Sequence, residues 1–196
     1  MEDEVFQPKP EERWIDGRRV WVIAPNLEPE AEKGNPAAQN LLGIHYLRGE
    51  VVEQNLDEAF KWFMKAAEQG YSEAQLNIGK MHADGEGVSQ DYKKAESWYL
   101  KAATNGNRDA HYNLGLLYSE GGKGLKKDFE KAAEWFRKAA EQGDVEAQCN
   151  LGVMFAEGIG VARDYEKSME WLVKAADQGD ETAQGNLRIL LNKMSK

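Results

Sequence analysis

Lys65-Ala66-Ala67-Glu68-Gln69-Gly70 decides the fold, because the chain spells it four times. It returns as Lys101-Ala102-Ala103-Thr104-Asn105-Gly106, as Lys138-Ala139-Ala140-Glu141-Gln142-Gly143 and as Lys174-Ala175-Ala176-Asp177-Gln178-Gly179. Trp62, Trp98, Trp135 and Trp171 keep the same beat, at steps of 36, 37 and 36 residues. The longer step has its cause in the glycine loop Gly121-Gly122-Lys123-Gly124, and an insertion in a loop leaves stacking intact. Self-similarity at this period is the signature of a stacked repeat.

Each unit predicts two helices. In the clearest copy Ala110, Leu114 and Tyr118 are four apart and share one helical face. The matching triplets are Ala38, Leu42, Tyr46, then Ala74, Ile78, His82, then Ala147, Leu151, Phe155. A glycine follows the central aliphatic residue each time (Gly43, Gly79, Gly115, Gly152), although mid-helix glycine costs about 1 kcal/mol. Close helix approach at that point is the expected return. Glycine pairs such as Gly85-Glu86-Gly87 and Gly158-Ile159-Gly160 stop the first helix. Asn55, Asp91, Asp128 or Asp164 then opens the second, whose buried stripe is expected to include Ala95, Trp98 and Ala102 in the second copy.

Units starting near 34, 70, 106 and 143, with a half unit from 180 to about Met194, predict an all-α chain over 34–196: an α-solenoid of helix-turn-helix repeats. Residues 1–33 form an extension outside the repeat. Within it Arg13-Trp14-Ile15, Asp16-Gly17 and Arg18-Arg19-Val20-Trp21-Val22-Ile23 predict a short β-hairpin around an Asp-Gly turn. Two readings of that hairpin stay open, a cap on the first repeat or an arm that binds a partner through Trp14 and Trp21.

Ala-x-x-x-Leu-Gly-x-x-Tyr, then Gly-x-Gly-Val, then Asp-x-x-Lys-Ala-x-x-Trp-x-x-Lys-Ala-Ala resembles the SEL-like repeat family of the tetratricopeptide-like superfamily. The match runs from Gly34 to about Met194. The resemblance implies a bacterial-type, non-catalytic scaffold or adaptor that binds a protein or peptide noncovalently in its concave groove. Two alternatives accompany it: an inhibitor or immunity protein that neutralises a basic toxin, and a β-lactam-binding or hydrolysing protein of the cysteine-rich branch. The chain's single cysteine, Cys149, departs from that branch.

Carried over position by position, the resemblance places Asn40, Leu76, Tyr112, Cys149 and Gly185 on the groove, with Ile44, Lys80, Leu116, Val153 and Ile189 one turn on. Leu47, Ala83, Ser119 and Ala156 extend the row, with Arg48, Asp84, Glu120 and Glu157 further along the edge. A largely apolar floor beside an acidic rim suits a partner with apolar anchors and basic flanks. The competing reading is that these side chains pack one first helix on the next.

Composition narrows the remaining classes. Of 196 residues, 25 are Lys or Arg and 34 are Asp or Glu, for a net charge of −9, which argues against nucleic acid as a partner. One cysteine allows no internal disulfide, and neither a signal segment nor a membrane-spanning run is expected, so the expected compartment is the cytoplasm. His45, His82 and His111 occupy three different repeat positions, and no spacing predicts a metal site. The glycine loops follow helices rather than strands, unlike a phosphate cradle, so neither cofactor nor catalysis is expected. Ile189, Leu190 and Leu191 lack a following second helix and suggest a weak two-fold contact through the C-terminal end.

Overall fold

The computed structural model of the chain describes residues 11–15, 18–22 and 26–195. Its elements fall into two compact units, divided between Asn105 and Gly106.

In the first unit, β1 (Glu11–Ile15) pairs antiparallel with β2 (Arg18–Val22), Trp14 opposite Arg19 and Trp21 opposite Glu12. The hairpin is therefore formed, while its expected Asp16-Gly17 turn lies outside the described residues. Then come α1 (Leu27–Glu32), α2 (Pro36–Arg48), α3 (Leu56–Glu68), α4 (Ser72–Asp84) and α5 (Tyr92–Thr104). The second unit holds α6 (Arg108–Glu120), α7 (Phe129–Glu141), α8 (Val145–Glu157), α9 (Tyr165–Asp177) and α10 (Glu181–Met194). In both units, helices adjacent in sequence pack as helix-turn-helix repeats of the α-solenoid class.

Side-chain caps set the helix starts. Asn55, Asp91, Asp128 and Asp164 each accept from backbone amides two or three residues on, at 3.0 to 3.1 Å. The same four residues close the preceding loop, their own amides donating to the carbonyls of Tyr46, His82, Tyr118 and Phe155 at 2.8 to 2.9 Å. The inserted glycine loop keeps this bond by folding into its own turn, with Gly122 and Leu125 exchanging hydrogen bonds of 2.7 and 3.0 Å.

The predicted triplets form the core. Ala38, Ala74, Ala110 and Ala147 are fully buried, as are Leu42, Ile78, Leu114 and Leu151. A Cβ at Gly43 would stand 2.7 Å from the Phe63 ring, and one at Gly152 would stand 2.6 Å from Leu172 Cγ. Gly79 and Gly115 meet the rings of Tyr99 and Phe136 in the same way, so the missing side chains let a second-helix residue rest on the first-helix backbone.

This corrects the expected stripe. Ala95 and Ala102 are buried, but the aromatic residue that fills the interior of that repeat is Tyr99, not Trp98. Trp98 sits half-buried at the edge of the cluster around Phe63 and Ile78. One face of its ring is covered by Lys101, whose Nζ lies 3.7 Å from the ring centroid, and Lys65, Lys138 and Lys174 cover Trp62, Trp135 and Trp171 at 3.5, 3.9 and 4.0 Å.

Polar ties join three helices at a time. Gln39 Nε2 donates to the Ala31 carbonyl at 3.0 Å, and its Oε1 accepts from Gln69 at 2.7 Å. Gln75 repeats the arrangement with the Ala67 carbonyl and Asn105, and Gln148 does so with the Ala140 carbonyl and Gln178. Because Ala31 and Leu27 stand where Ala67 and Phe63 stand one period later, α1 occupies the place of a truncated second helix and covers Ala38 and Leu42. The repeat pattern predicts no element there.

Candidate protein-binding surface

Within unit 1 the groove residues lie on α2 and α4, and most of them pack. Asn40 is buried and accepts from Asn77 Nδ2 at 3.0 Å, a rung between successive first helices. Ile44 and Leu47 lean half-buried against the cluster around Phe63, Ile78 and Met81, and Leu76 is buried. Lys80 alone of these five is exposed.

In unit 2 three predicted residues surround one feature. Leu116 of α6 and Val153 of α8 line an apolar depression of about 190 Å³ that is floored by Phe136 and Met154. Tyr112 stands beside it, its ring 5.8 Å from that of Phe136. The Tyr112 hydroxyl donates to Glu146 and accepts from Asn150; desolvation, with Glu146 and Asp144 close by, pushes its pKa up to about 12. At the rim Phe129 and Ile159 are 43% and 38% exposed, high for large apolar side chains.

Cys149 does not join that feature. It is buried in the cluster with Leu172, Ala183 and Leu190, its Sγ accepts from Asn186 at 3.6 Å, and burial raises its thiol pKa. Leu190 is likewise buried, against the expectation that it stands uncovered, because α10 turns it onto α9; Ile189 and Leu191 remain exposed. Gly185 has no neighbour within 4 Å of where a Cβ would point. The second surface expected from sequence, Trp14 and Trp21, falls on β1 and β2, whose side chains lie outside the described structure.

A row of asparagines escaped the sequence reading. Asn77, Asn113, Asn150 and Asn186 recur just before the central aliphatic residue of α4, α6, α8 and α10, where α2 has Leu41. Three of them bond the groove position of the preceding first helix, at Asn40, Tyr112 and Cys149. Their 36 or 37 residue recurrence was the signal available, and a side chain on the polar shoulder of an apolar stripe is easily taken for solvent-facing.

The histidines are buried within the repeats. Burial lowers the pKa of His45, His82 and His111; His82 packs edge-on to Phe60, and His111 replaces the buried glutamine, 3.4 Å from Gln142 Nε2. Among the described residues no three His, Cys, Asp or Glu side chains are placed to hold a metal ion, and no helix is long and apolar enough to cross a membrane.

Helix pairs of 36 residues, a glycine at each first-helix contact and an inter-helix polar ladder define a tetratricopeptide-like repeat protein of the longer-period kind. The Sel1 repeat family matches residues 36–71, 72–107, 108–144 and 145–180, and the chain belongs to that family. It is similar to a crystal structure of a protective antigen present in uropathogenic Escherichia coli strains that displays an SLR fold, at 39% identity and a TM-score of 0.81. That match covers 85% of this chain and 36% of the antigen. A Sel1 repeat protein from Oxalobacter formigenes is 36% identical with a TM-score of 0.74, over 82% of this chain and 64% of the other. Cysteine rich protein B of Helicobacter pylori is 28% identical with a TM-score of 0.53, over 71% of this chain and 99% of the other. The chain thus spans about a third of the first of these proteins and just under two thirds of the second. None of the curated proteins matches it in sequence. Sel1 repeats are in general scaffolds for protein–protein interaction, and the family is typically non-catalytic.

Proposed function

We propose that unit 2 holds a segment of a partner protein through apolar side chains seated in the depression between α6, α7 and α8. The observation that carries this reading is the pairing of an unfilled apolar hollow with Phe129 and Ile159 exposed at its rim. Leu116 and Val153 form its walls. Glu120 stands exposed at the end of α6, and Glu157 at the end of α8 is paired with Lys193 at 2.6 Å, so Glu120 is the rim carboxylate that favours a basic residue beside the partner's apolar anchors. In unit 1 the matching positions are mostly consumed by packing, which supports unit 2 as the site of contact. The chain acts as a non-catalytic adaptor in this reading.

The test is affinity purification from the native cell with wild-type protein and with Leu116→Ser combined with Ile159→Ser. Both changes lie at half-buried or exposed positions, and equal melting of the two proteins is verified first. A partner retained by wild type and lost by the variant supports the reading. A partner recovered equally by both refutes it.

A further inference from the structure

The loops that join first to second helices change charge between the units. Apart from the capping residues Asn55, Asp91, Asp128 and Asp164, in unit 1 they carry Glu50, Glu53 and Glu86, and in unit 2 they carry Lys123, Lys126, Lys127 and Arg163. Some of the unit 2 cations are also released from structural work. Gln54 and Gln90 close their loops by donating to the carbonyls of Leu47 and Ala83 at 2.9 and 2.8 Å. Arg163 occupies that position in the last loop and makes no such bond among the described residues; its guanidinium lies 5.7 Å from the Tyr165 ring. Arg137 stands on α7 where the other second helices carry Met64, Leu100 and Val173, and it has no ion-pair partner among the described residues.

Arg137, Arg163 and Lys167 converge on an open cavity of about 550 Å³ that shares no residue with the apolar depression. Val161, Ala162 and Trp171 give it an apolar and aromatic wall. Two carboxylates also line it. Asp164 is already engaged, capping α9 and pairing with Lys167 Nζ at 3.1 Å. With Lys167 and Asp164 paired to each other, the lining holds Arg137 and Arg163 against Glu170, a small excess of positive charge in a chain whose net charge is −9.

We propose that this cavity binds an acidic peptide segment, one carboxylate engaging Arg137 and Arg163 while a neighbouring aliphatic side chain lies against Val161 and Trp171. The guanidinium fork matches a carboxylate in shape and charge. A bare inorganic anion would leave the apolar wall uncovered, whereas a peptide uses both parts, and the volume falls in the range of ligand sites.

The experiment titrates the isotope-labelled full chain with the hexapeptide acetyl-Glu-Leu-Glu-Glu-Leu-Glu-amide, following the Trp171 indole N–H and the backbone amides by NMR. Expected are saturable shifts concentrated at Val161 to Trp171 and around Arg137. In Arg137→Gln combined with Arg163→Gln, affinity falls at least about tenfold, the loss expected when charge-assisted hydrogen bonds are removed. The melting temperature of that variant is checked, and Arg137→Gln alone, an exposed change, is run beside it. Absence of saturation overturns the proposal. So do shifts confined to Lys123 to Lys127, unchanged affinity in the double variant, or inorganic phosphate saturating the cavity where the peptide does not.

Discussion

Replacing Gly115 with alanine tests the packing logic on which the unit 2 surface depends. Alanine is about 1 kcal/mol better than glycine inside a helix, so propensity alone predicts stabilisation. The structure predicts the opposite. A Cβ at Gly115 would lie 2.5 to 2.9 Å from three atoms of the Phe136 ring, and Phe136 is only 3% exposed, so the ring has to shift within its packed surroundings. Overpacking of a core by one carbon costs about 1 to 3 kcal/mol, and a clash with a held ring belongs in the upper half of that range. After the propensity gain, Gly115→Ala is expected to destabilise by about 1 to 2 kcal/mol. Gly185→Ala is the internal control, because it lies inside α10 with nothing within 4 Å of its Cβ, and it should stabilise by about 0.5 to 1 kcal/mol. Urea unfolding followed by circular dichroism reads both, as midpoint shifts of opposite sign at unchanged slope. If Gly115→Ala raises the midpoint, the close-approach explanation of the repeated glycine is wrong.

Asn77→Ala leaves the buried Asn40 amide without its 3.0 Å partner and should cost about 1 to 2 kcal/mol in the same unfolding assay. Gln75→Leu cuts the bonds to the Ala67 carbonyl and Asn105 together and should cost about 1 to 3 kcal/mol, with faster amide exchange at the ends of α3 and α5. The histidines make stability fall with acid. Because His45, His82 and His111 have folded-state pKa values below 6.5, the unfolded chain takes up protons first; their contribution is complete above about pH 6.5 and is lost as pH falls through that value toward the folded pKa. His82→Phe, which installs the residue type that Phe155 provides in the same slot, should flatten a plot of urea midpoint against pH between pH 7 and 5; an unchanged slope would contradict burial as the cause. Cys149 should react with a thiol reagent at pH 8 far more slowly in the folded chain than in denaturant, since it is buried and its thiolate is disfavoured.

Much of the fold was legible because repetition multiplies a weak signal. One copy of Ala110, Leu114 and Tyr118 is an ordinary amphipathic stripe, but four copies with glycine in register specify a stack, and every triplet residue is buried as the spacing demands except Tyr46, which is half-buried. The caps Asn55, Asp91, Asp128 and Asp164 were legible for the same reason. Trp98 misled because a large aromatic on the stripe looks like core, whereas the adjacent Tyr99 lies over Gly79 and takes the interior. The short helix α1 was hidden, since six residues with Pro29 in the first turn carry no periodicity of their own.

The surface was less legible than the fold. Positions equivalent in sequence register differ in fate: Asn40, Leu76 and Cys149 are buried while Tyr112 is half-buried, and Ile44 packs against the core cluster while Leu116 and Val153 line an open depression. The repeat, its period and the starts of the second helices are written in the sequence, because these depend on residues close along the chain and on backbone propensities that act locally. Which groove side chains remain free, that asparagines bridge successive first helices, and that Arg137 and Arg163, 26 positions apart, line one cavity follow from packing in three dimensions. Burial and convergence are properties of neighbouring repeats packed together, and no single repeat encodes them.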